Sequence, residues 1–398
     1  MDFALTPKVE DLRNRLIAFM DEHVYPAEKV AAEQVHASGD EHLEPPIVKE
    51  LKKKAKAQKL WNLFLPDEEY GAGLKNWEYG ILCEVMGHSY IAPRVFNCAA
   101  PDTGNMEILA EFGSAAQKKR WLEPMLAGEM RSCFSMTEPD TAGSDPTLLR
   151  TRAVRDGDHY VINGHKWFTS GAYGSSFAIA MVVTDPDAPP HRRASMIIVP
   201  TDTPGFNLIR AVSVMGHTGG GGHCEIRYED CRVPATNMLG VEGGGFAIAQ
   251  ARLGPGRIHH CMRCIGAAER AMELMCTRAN TRYTHGSLLA EKSVIQNWVA
   301  ESRMEIDSAR LMVLHAAWKM DNVGKKEARQ EIAMIKVIAA NMMMTVLDRA
   351  IQTFGAMGVS DDTPIARMWR DGRSMRLADG PDEVHKMTIA RRELRKWQ

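Results

Sequence analysis

The sequence predicts an α+β protein in which helix-patterned segments, 1–130 and 239–398, flank a strand-patterned middle, 131–238. Two observations carry this. Apolar residues recur at the helical period up to about residue 130, then alternate, and after Pro234 the helical period returns almost to the end. The 398 residues are also too many for one small core and suit two or three packed domains.

Thr6-Pro7 opens the first helix, with proline in the first turn and apolar residues at Val9, Leu12, Leu16, Ile17 and Met20. Pro45-Pro46 ends a connection and Pro66 to Gly73 is a loop, with further helices around 77–87, 106–112 and 114–126. In the middle, the Arg155-Asp156-Gly157-Asp158 turn precedes a strand at Tyr160-Val161-Ile162. Further strands follow at Phe177–Val183, Ala194–Val199 and Glu225–Tyr228. Short strands so spaced predict a small antiparallel barrel or sandwich. Long helices at roughly 244–281, 287–321, 325–355 and 380–396 can then pack as a four-helix bundle.

A formal net charge of −1, with a quarter of residues charged, gives no reason to expect nucleic acid or an anionic membrane as partner. The N-terminal segment carries acidic residues and no continuous apolar core, so neither a signal nor a transit peptide is expected and a cytoplasmic location is. No run of about eighteen apolar residues occurs, so no membrane span is expected. The eight cysteines are dispersed, as suits reduced thiols. Helical spacing puts His260, Cys261 and Cys264 within reach of one metal, but a fourth ligand is not evident, and buried helix cysteines are common. Lys52-Lys53-Lys54 reads as a solvated helix face rather than a phosphate site.

Chemistry concentrates in two stretches of the middle segment, Thr137-Glu138-Pro139-Asp140-Thr141-Ala142-Gly143-Ser144-Asp145 and Ile162-Asn163-Gly164-His165-Lys166-Trp167-Phe168-Thr169-Ser170-Gly171. With the order helical, β, helical, this motif pair closely resembles the acyl-CoA dehydrogenase family over essentially the whole chain. The first motif is one residue longer than the family's common TEPGAGSD form. Within the family the chain is most similar to family members ten and eleven, through Arg252-Leu253-Gly254-Pro255-Gly256-Arg257-Ile258-His259-His260 and Leu377-Ala378-Asp379-Gly380-Pro381-Asp382-Glu383-Val384-His385. The kinase-like domain fused to some of those relatives is not seen, and the chain matches the dehydrogenase portion.

The resemblance implies an acyl-CoA dehydrogenase-like fold and a non-covalent FAD lying between the β domain and the C-terminal bundle, with an acyl-CoA against the flavin. A carboxylate would take the α-proton as the β-hydrogen leaves as hydride to flavin N5, giving a trans-2-enoyl-CoA and passing electrons to an electron-transfer flavoprotein. By motif, Phe134, Met136 and Thr137 line the ring, Ser144 touches flavin or substrate, and Trp167 with Thr169 form the other wall. Fixed donors and an aromatic wall suit a ring that gains negative charge on reduction. Arg282, in Arg282-Tyr283-Thr284-His285-Gly286, and Gln352 and Gly355, in the loop from Gln352 to Gly358, match the parts that hold the cofactor's diphosphate and adenosine across a subunit boundary. The resemblance therefore implies a homotetramer, a dimer of dimers. Pro381 and Glu383 would lie by the cofactor, and Arg257, Ala378 and Gly380 by the substrate.

The resemblance offers two positions for the base. One, just before Arg257, is Gly256 and has no carboxylate. The other is Asp379, one methylene shorter than the family's usual glutamate, with a pKa expected to rise by desolvation. A plain structural role for Asp379 is as N-cap of the helix starting near Pro381, and Asp382, Glu383 and His385 are nearby competitors. Ala378 stands where many relatives carry a bulky aromatic, which leaves room for a branched or long acyl chain. The methionines read as core filler before they read as an acyl pocket. Two other functions use the same scaffold: a flavin oxidase resembling nitroalkane oxidase, which also uses an aspartate base, and a flavin-binding protein without catalysis. Chain length, physiological acceptor and pathway are not legible in the sequence.

Overall fold

The computed structural model describes residues 4–398; Met1–Phe3, the start of the segment read above as no leader, lie outside the described residues. Helix α1 spans Pro7–Phe19: Thr6 caps it by accepting from the Val9 N–H at 3.4 Å, and Val9, Leu12, Leu16 and Phe19 form its buried stripe. After a π-turn at Met20–Val24 come α2 (Tyr25–Ser38), α3 (Pro46–Ala57), α4 (Asn76–Gly87), α5 (Ala92–Val95), α6 (Asp102–Phe112), α7 (Ala115–Gln117) and α8 (Glu123–Leu126). The strands follow as β1 (Ser132–Ser135), β2 (Arg152–Asp156), β3 (His159–Ser170), β4 (Phe177–Val183), β5 (Ala194–Pro200), β6 (Phe206–Ala211), β7 (His223–Pro234) and β8 (Met238–Leu239). Helix α9 (Gly245–Thr281) leads into a hairpin of β9 (Tyr283–Thr284) and β10 (Ser287–Leu288), then α10 (Ser293–Asn322), α11 (Arg329–Phe354), α12 (Ile365–Arg373) and α13 (Asp382–Leu394).

The hairpin displaces the start of the second long helix from the expected 287 to Ser293. Its cause is local, because His285 at φ 45° and Gly286 at φ 80° form a two-residue turn with both central residues left-handed. The helix α12 was likewise not anticipated.

The chain packs as two compact units. The first takes the chain up to Pro26, Pro66–Pro93 and Gly254–Gln398. Its interior joins the stripes of α1 and α4 to Ile258, Met262, Ile265 and Met275 of α9, Ile306 and Val313 of α10, and Ile335, Ala339, Met343 and Val346 of α11. Many of the methionines are therefore core residues, as read from the sequence. A Cβ on Gly266 would overlap the Glu84 carbonyl oxygen and stand 2.9 Å from Gly87 Cα, so α4 and α9 cross backbone against backbone. Gly266→Ala is expected to destabilise the protein by about 3 kcal/mol, since neither helix backbone can yield cheaply. Thermal unfolding checks this, and an unchanged midpoint contradicts it.

One helical stretch among the described residues, Arg329–Val359, is long and apolar enough to cross a membrane by length and composition alone. Polar residues such as Lys336, Asn341, Asp348 and Arg349 interrupt its apolar run. Its apolar window is 56% buried, and α11 packs on α10, α12 and α13, as the core helix of a bundle does.

The second unit comprises Ala27–Leu65 and Arg94–Leu253. Its sheet runs β6-β7-β3-β2-β4-β5-β8, with β1 on β4. Antiparallel ladders dominate, and β1 with β4 and β2 with β4 are parallel pairs that alternation alone does not reveal. Strand β4 is buried at every position and β5 at all but its last, which explains their continuous apolar runs. In β3, Tyr160, Ile162 and Lys166 share the inward parity, and all three are buried.

Candidate active site

The predicted site residues fall into one group in each unit. In the sheet unit, β1 delivers Phe134 and then runs into the loop that starts at Met136. Thr137 and Trp167 clasp each other: the Thr137 hydroxyl donates to the Trp167 carbonyl at 2.8 Å, and the Trp167 N–H donates to the Thr137 carbonyl at 3.0 Å. This brings the two sequence motifs together. Glu138 anchors the loop from inside, accepting from the N–H of Arg150 at 2.7 Å, the N–H of Thr151 at 2.9 Å and Lys166 Nζ at 2.9 Å. Lys166 also donates to the Met136 carbonyl at 2.8 Å.

Between Lys166 and Thr169 the β3–β7 ladder slips register. The two residues of this bulge are Trp167 and Phe168, and Phe168 has φ 50°, a conformation that is costly for an aromatic residue. Phe168 is exposed and Trp167 half-buried, with their rings edge to face at 5.0 Å, while Thr169 is buried and shares a hydrogen bond with the Ser135 hydroxyl at 3.2 Å. Strain of this kind persists only where surrounding structure enforces it, and it clusters at ligand sites. Phe134 is half-buried with the Arg252 guanidinium 4.1 Å over its ring, while Arg252 Nε donates to Asn105 Oδ1 at 3.2 Å. Ser144 and Gly143 are exposed in the loop, and Met136 is half-buried.

These residues fit a flavin. They provide aromatic surface at a bulge and a buried Thr141 Oγ1 that has no hydrogen-bond partner in the protein, whereas the Thr137 and Thr169 hydroxyls are engaged by the Trp167 carbonyl and Ser135. An orphaned buried hydroxyl costs stability unless a ligand or water satisfies it.

The second group surrounds Asp379. The segment after α12 turns at Asp379, φ 56°, and Gly380, φ 103°, before Pro381 caps α13. Asp379 is therefore not the N-cap that its sequence position suggested. Its carbonyl oxygen accepts from Arg257 Nε at 3.0 Å and faces His385 Nε2 at 3.2 Å. Its carboxylate Oδ2 lies 3.3 Å from His260 Nε2, and a Cβ built on Gly256 would stand 4.0 Å from the same oxygen. The two positions that the resemblance offered for a base thus converge in space. Ala378, Gly380 and Pro381 are half-buried around it, and a side chain on Gly380 would meet His385 Nε2 at 2.9 Å.

The nearby competitors are otherwise engaged. Asp382 accepts from Arg376 Nε at 2.8 Å and Asn341 Nδ2 at 3.0 Å; burial opposes its charge, but these donors hold its carboxyl below the usual range. Burial, aided by Arg257 and Lys336, pulls His385 down to about 4, so its imidazole is neutral at physiological pH. Glu383 is exposed in the first turn of α13. The metal set considered above does not form, because Cys261 and Cys264 are buried thiols, His260 turns to Asp379, and no metal-capable cluster occurs among the described residues.

Arg282 is exposed just past the C-terminal end of α9, and Gln352 and Gly355 are exposed at the C-terminal end of α11. One turn before Arg282, Arg278 sets its guanidinium 5.5 Å over Phe354, so the ends of α9 and α11 adjoin. Sequence reasoning missed Arg252, Lys166 with Glu138, and the roles of His260 and Arg263. Two signals were present. An inward-parity lysine in a strand demands a buried partner, and Arg257, His260 and Arg263 recur every three residues on one face of a helix.

Family models match the chain in three consecutive pieces: "Acyl-CoA dehydrogenase, N-terminal domain" over 6–129, "middle domain" over 133–231 and "C-terminal domain" over 243–394. The chain is 55% identical to "Probable acyl-CoA dehydrogenase FadE2" of Mycobacterium tuberculosis, covering 99% of this chain and 97% of that protein. It is 50% identical to acyl-CoA dehydrogenase family member 10 of Mus musculus over 98% of its own length, but spans only 37% of that longer protein. A solved Mycobacterium abscessus structure, provisionally assigned as an acyl-CoA dehydrogenase, is 45% identical and superposes with a TM-score of 0.96 over 100% of both chains. The chain therefore belongs to the acyl-CoA dehydrogenase family of FAD-dependent oxidoreductases.

Proposed function

We propose that this enzyme dehydrogenates a fatty acyl-CoA across its α and β carbons to the trans-2-enoyl-CoA, with Asp379 as the base that takes the α-proton. The observation that carries this is the placement of Asp379: a side chain 19% exposed, fixed at its carbonyl by Arg257, in a segment whose other acid groups are paired or face solvent. Bound FAD would supply the two-electron acceptor for the β-hydrogen. Phe134, Met136, Thr137, Trp167 and Thr169 would orient the ring, Ser144 would meet flavin or substrate, and Pro381 and Glu383 would lie by the cofactor. Arg257, Ala378 and Gly380 would shape the acyl and thioester end. With Ala378 small, branched or long acyl chains are the first substrates to try.

The exposure of Arg282, Gln352 and Gly355 on a single chain supports a cofactor shared with a second copy, a dimer at least, and the family resemblance extends this to a homotetramer built as a dimer of dimers. The division into 1–130, 131–238 and 239–398 is likewise a proposal, supported by family-model matches over 6–129, 133–231 and 243–394. An electron-transfer flavoprotein is the proposed acceptor and the cytoplasm the proposed location.

The test is anaerobic titration of the FAD-loaded protein with straight, branched and hydroxylated acyl-CoAs while flavin absorbance is followed. At least one is expected to bleach the flavin stoichiometrically. If none does, the dehydrogenase reading fails. Rapid oxygen consumption with hydrogen peroxide release would favour the oxidase reading instead.

A further inference from the structure

We propose that His260 is a positioning residue for the base: its imidazole, locked as the Nε2–H tautomer by Arg263, donates to Asp379 Oδ2 and so fixes the orientation of the carboxylate that receives the substrate proton. The inference rests on Asp379 being the base. Its geometry stands on two contacts, Arg263 Nη2 to His260 Nδ1 at 3.0 Å and His260 Nε2 to Asp379 Oδ2 at 3.3 Å.

A guanidinium has donors only, so Nδ1 must accept from it, and a neutral imidazole that accepts at Nδ1 carries its proton on Nε2. That proton points at the carboxylate. Burial first, and Arg263 second, work against a charged His260 and outweigh the pull of Asp379 towards protonation. The ring thus stays a neutral donor.

Other groups around the base act elsewhere. From α9, Arg257 is committed to the Asp379 carbonyl and Cys261 is a buried thiol; from α13, His385 faces the same carbonyl. From α11, buried Lys336 donates to the Met375 carbonyl, and Arg376 pairs with Asp382. The backbone of Asp379 is therefore pinned through its carbonyl and its side chain through His260. A hydrogen bond to a carboxylate favours its charged form, so removing the donor makes the carboxylate easier to protonate. Because Arg263 occupies Nδ1, the ring cannot switch tautomer to carry the proton away, so His260 is not a second base.

The test uses the full-length FAD-loaded enzyme and its His260→Leu and His260→Gln variants. Flavin reduction by acyl-CoA is followed by anaerobic stopped flow from pH 5 to 9. Leucine is expected to move the acidic limb of the rate profile up by about one pH unit and to slow reduction roughly tenfold to a hundredfold. Glutamine, whose amide nitrogen can donate from a similar position, should return the limb towards wild type. Independently, ¹⁵N NMR of histidine-labelled wild type should show a His260 ring protonated at Nε2 and unchanged from pH 5.5 to 8, assigned by its loss in the variants. An unshifted limb in a His260→Leu enzyme that retains FAD, or a ring protonated at Nδ1, overturns the proposal. Should the leucine variant fail to bind FAD, the NMR tautomer decides alone. If Asp379→Asn still reduces flavin, the base assignment fails separately, and the tautomer reports whether the His260 contact exists.

Discussion

Asp379→Asn is expected to leave FAD bound and to slow flavin reduction by acyl-CoA roughly a hundredfold to ten-thousandfold, the usual range for loss of a positioned general base. Asparagine is the informative substitution for two structural reasons. The position has φ 56°, which asparagine and aspartate tolerate better than other side chains with a Cβ. Asparagine also keeps an oxygen that can accept from His260 Nε2, so the loop and its contacts persist while the proton acceptor is lost. The same backbone conformation suits aspartate, since most other side chains with a Cβ are disfavoured at positive φ. Stopped-flow reduction with flavin content measured in parallel checks the prediction. Wild-type rates in the variant would move the base elsewhere.

Lys166→Met is expected to destabilise the protein by about 3–5 kcal/mol, because it strands Glu138 as a buried, unpaired charge. Both side chains of the pair are almost fully buried, at 0% and 4% exposure, and their separation is 2.9 Å. Burial pulls Lys166 down to about 8 despite the carboxylate beside it. For Glu138, burial opposes charge, yet Lys166 and the Thr151 N–H hold its carboxyl below the usual range. The sign follows. A depressed carboxyl contributes stability that is present above about pH 4.5 and is lost as pH falls through its folded value. In Lys166→Met that contribution is already gone, so the gap in melting temperature from wild type should be widest near pH 7 and shrink towards pH 4. Lys166→Met with Glu138→Gln should recover much of the loss. An equal gap at both pH values would show that the ion pair is not what holds the loop.

Much of the architecture is legible in the sequence because it is local. The Thr6-Pro7 cap, the alternating strands and the long helical periods each follow from neighbours within a few residues. The hairpin at 283–288 was missed because its helix-like surroundings hide a two-residue turn whose signal is only His285-Gly286. The parallel pairing of β1 with β4 joins segments more than forty residues apart, and no local pattern encodes it.

The site divides in the same way. The two motifs identify the flavin-binding family, but the Phe168 bulge that shapes its aromatic surface depends on register with β7, which only the folded sheet sets. Asp379 is proposed from its place in a motif. His260 and Arg263, more than a hundred residues earlier, reach it only through the packing of α9 beside the turn before α13.

The most direct test of the account uses an acyl-CoA deuterated at the α-carbon, mixed anaerobically with the FAD-loaded enzyme at one equivalent per flavin. A primary isotope effect on flavin bleaching is expected, with one trans-2-enoyl-CoA formed per flavin reduced and loss of both deuterium transfer and bleaching in Asp379→Asn. Bleaching with no α-deuterium lost, or an unaltered reaction in Asp379→Asn, would contradict it.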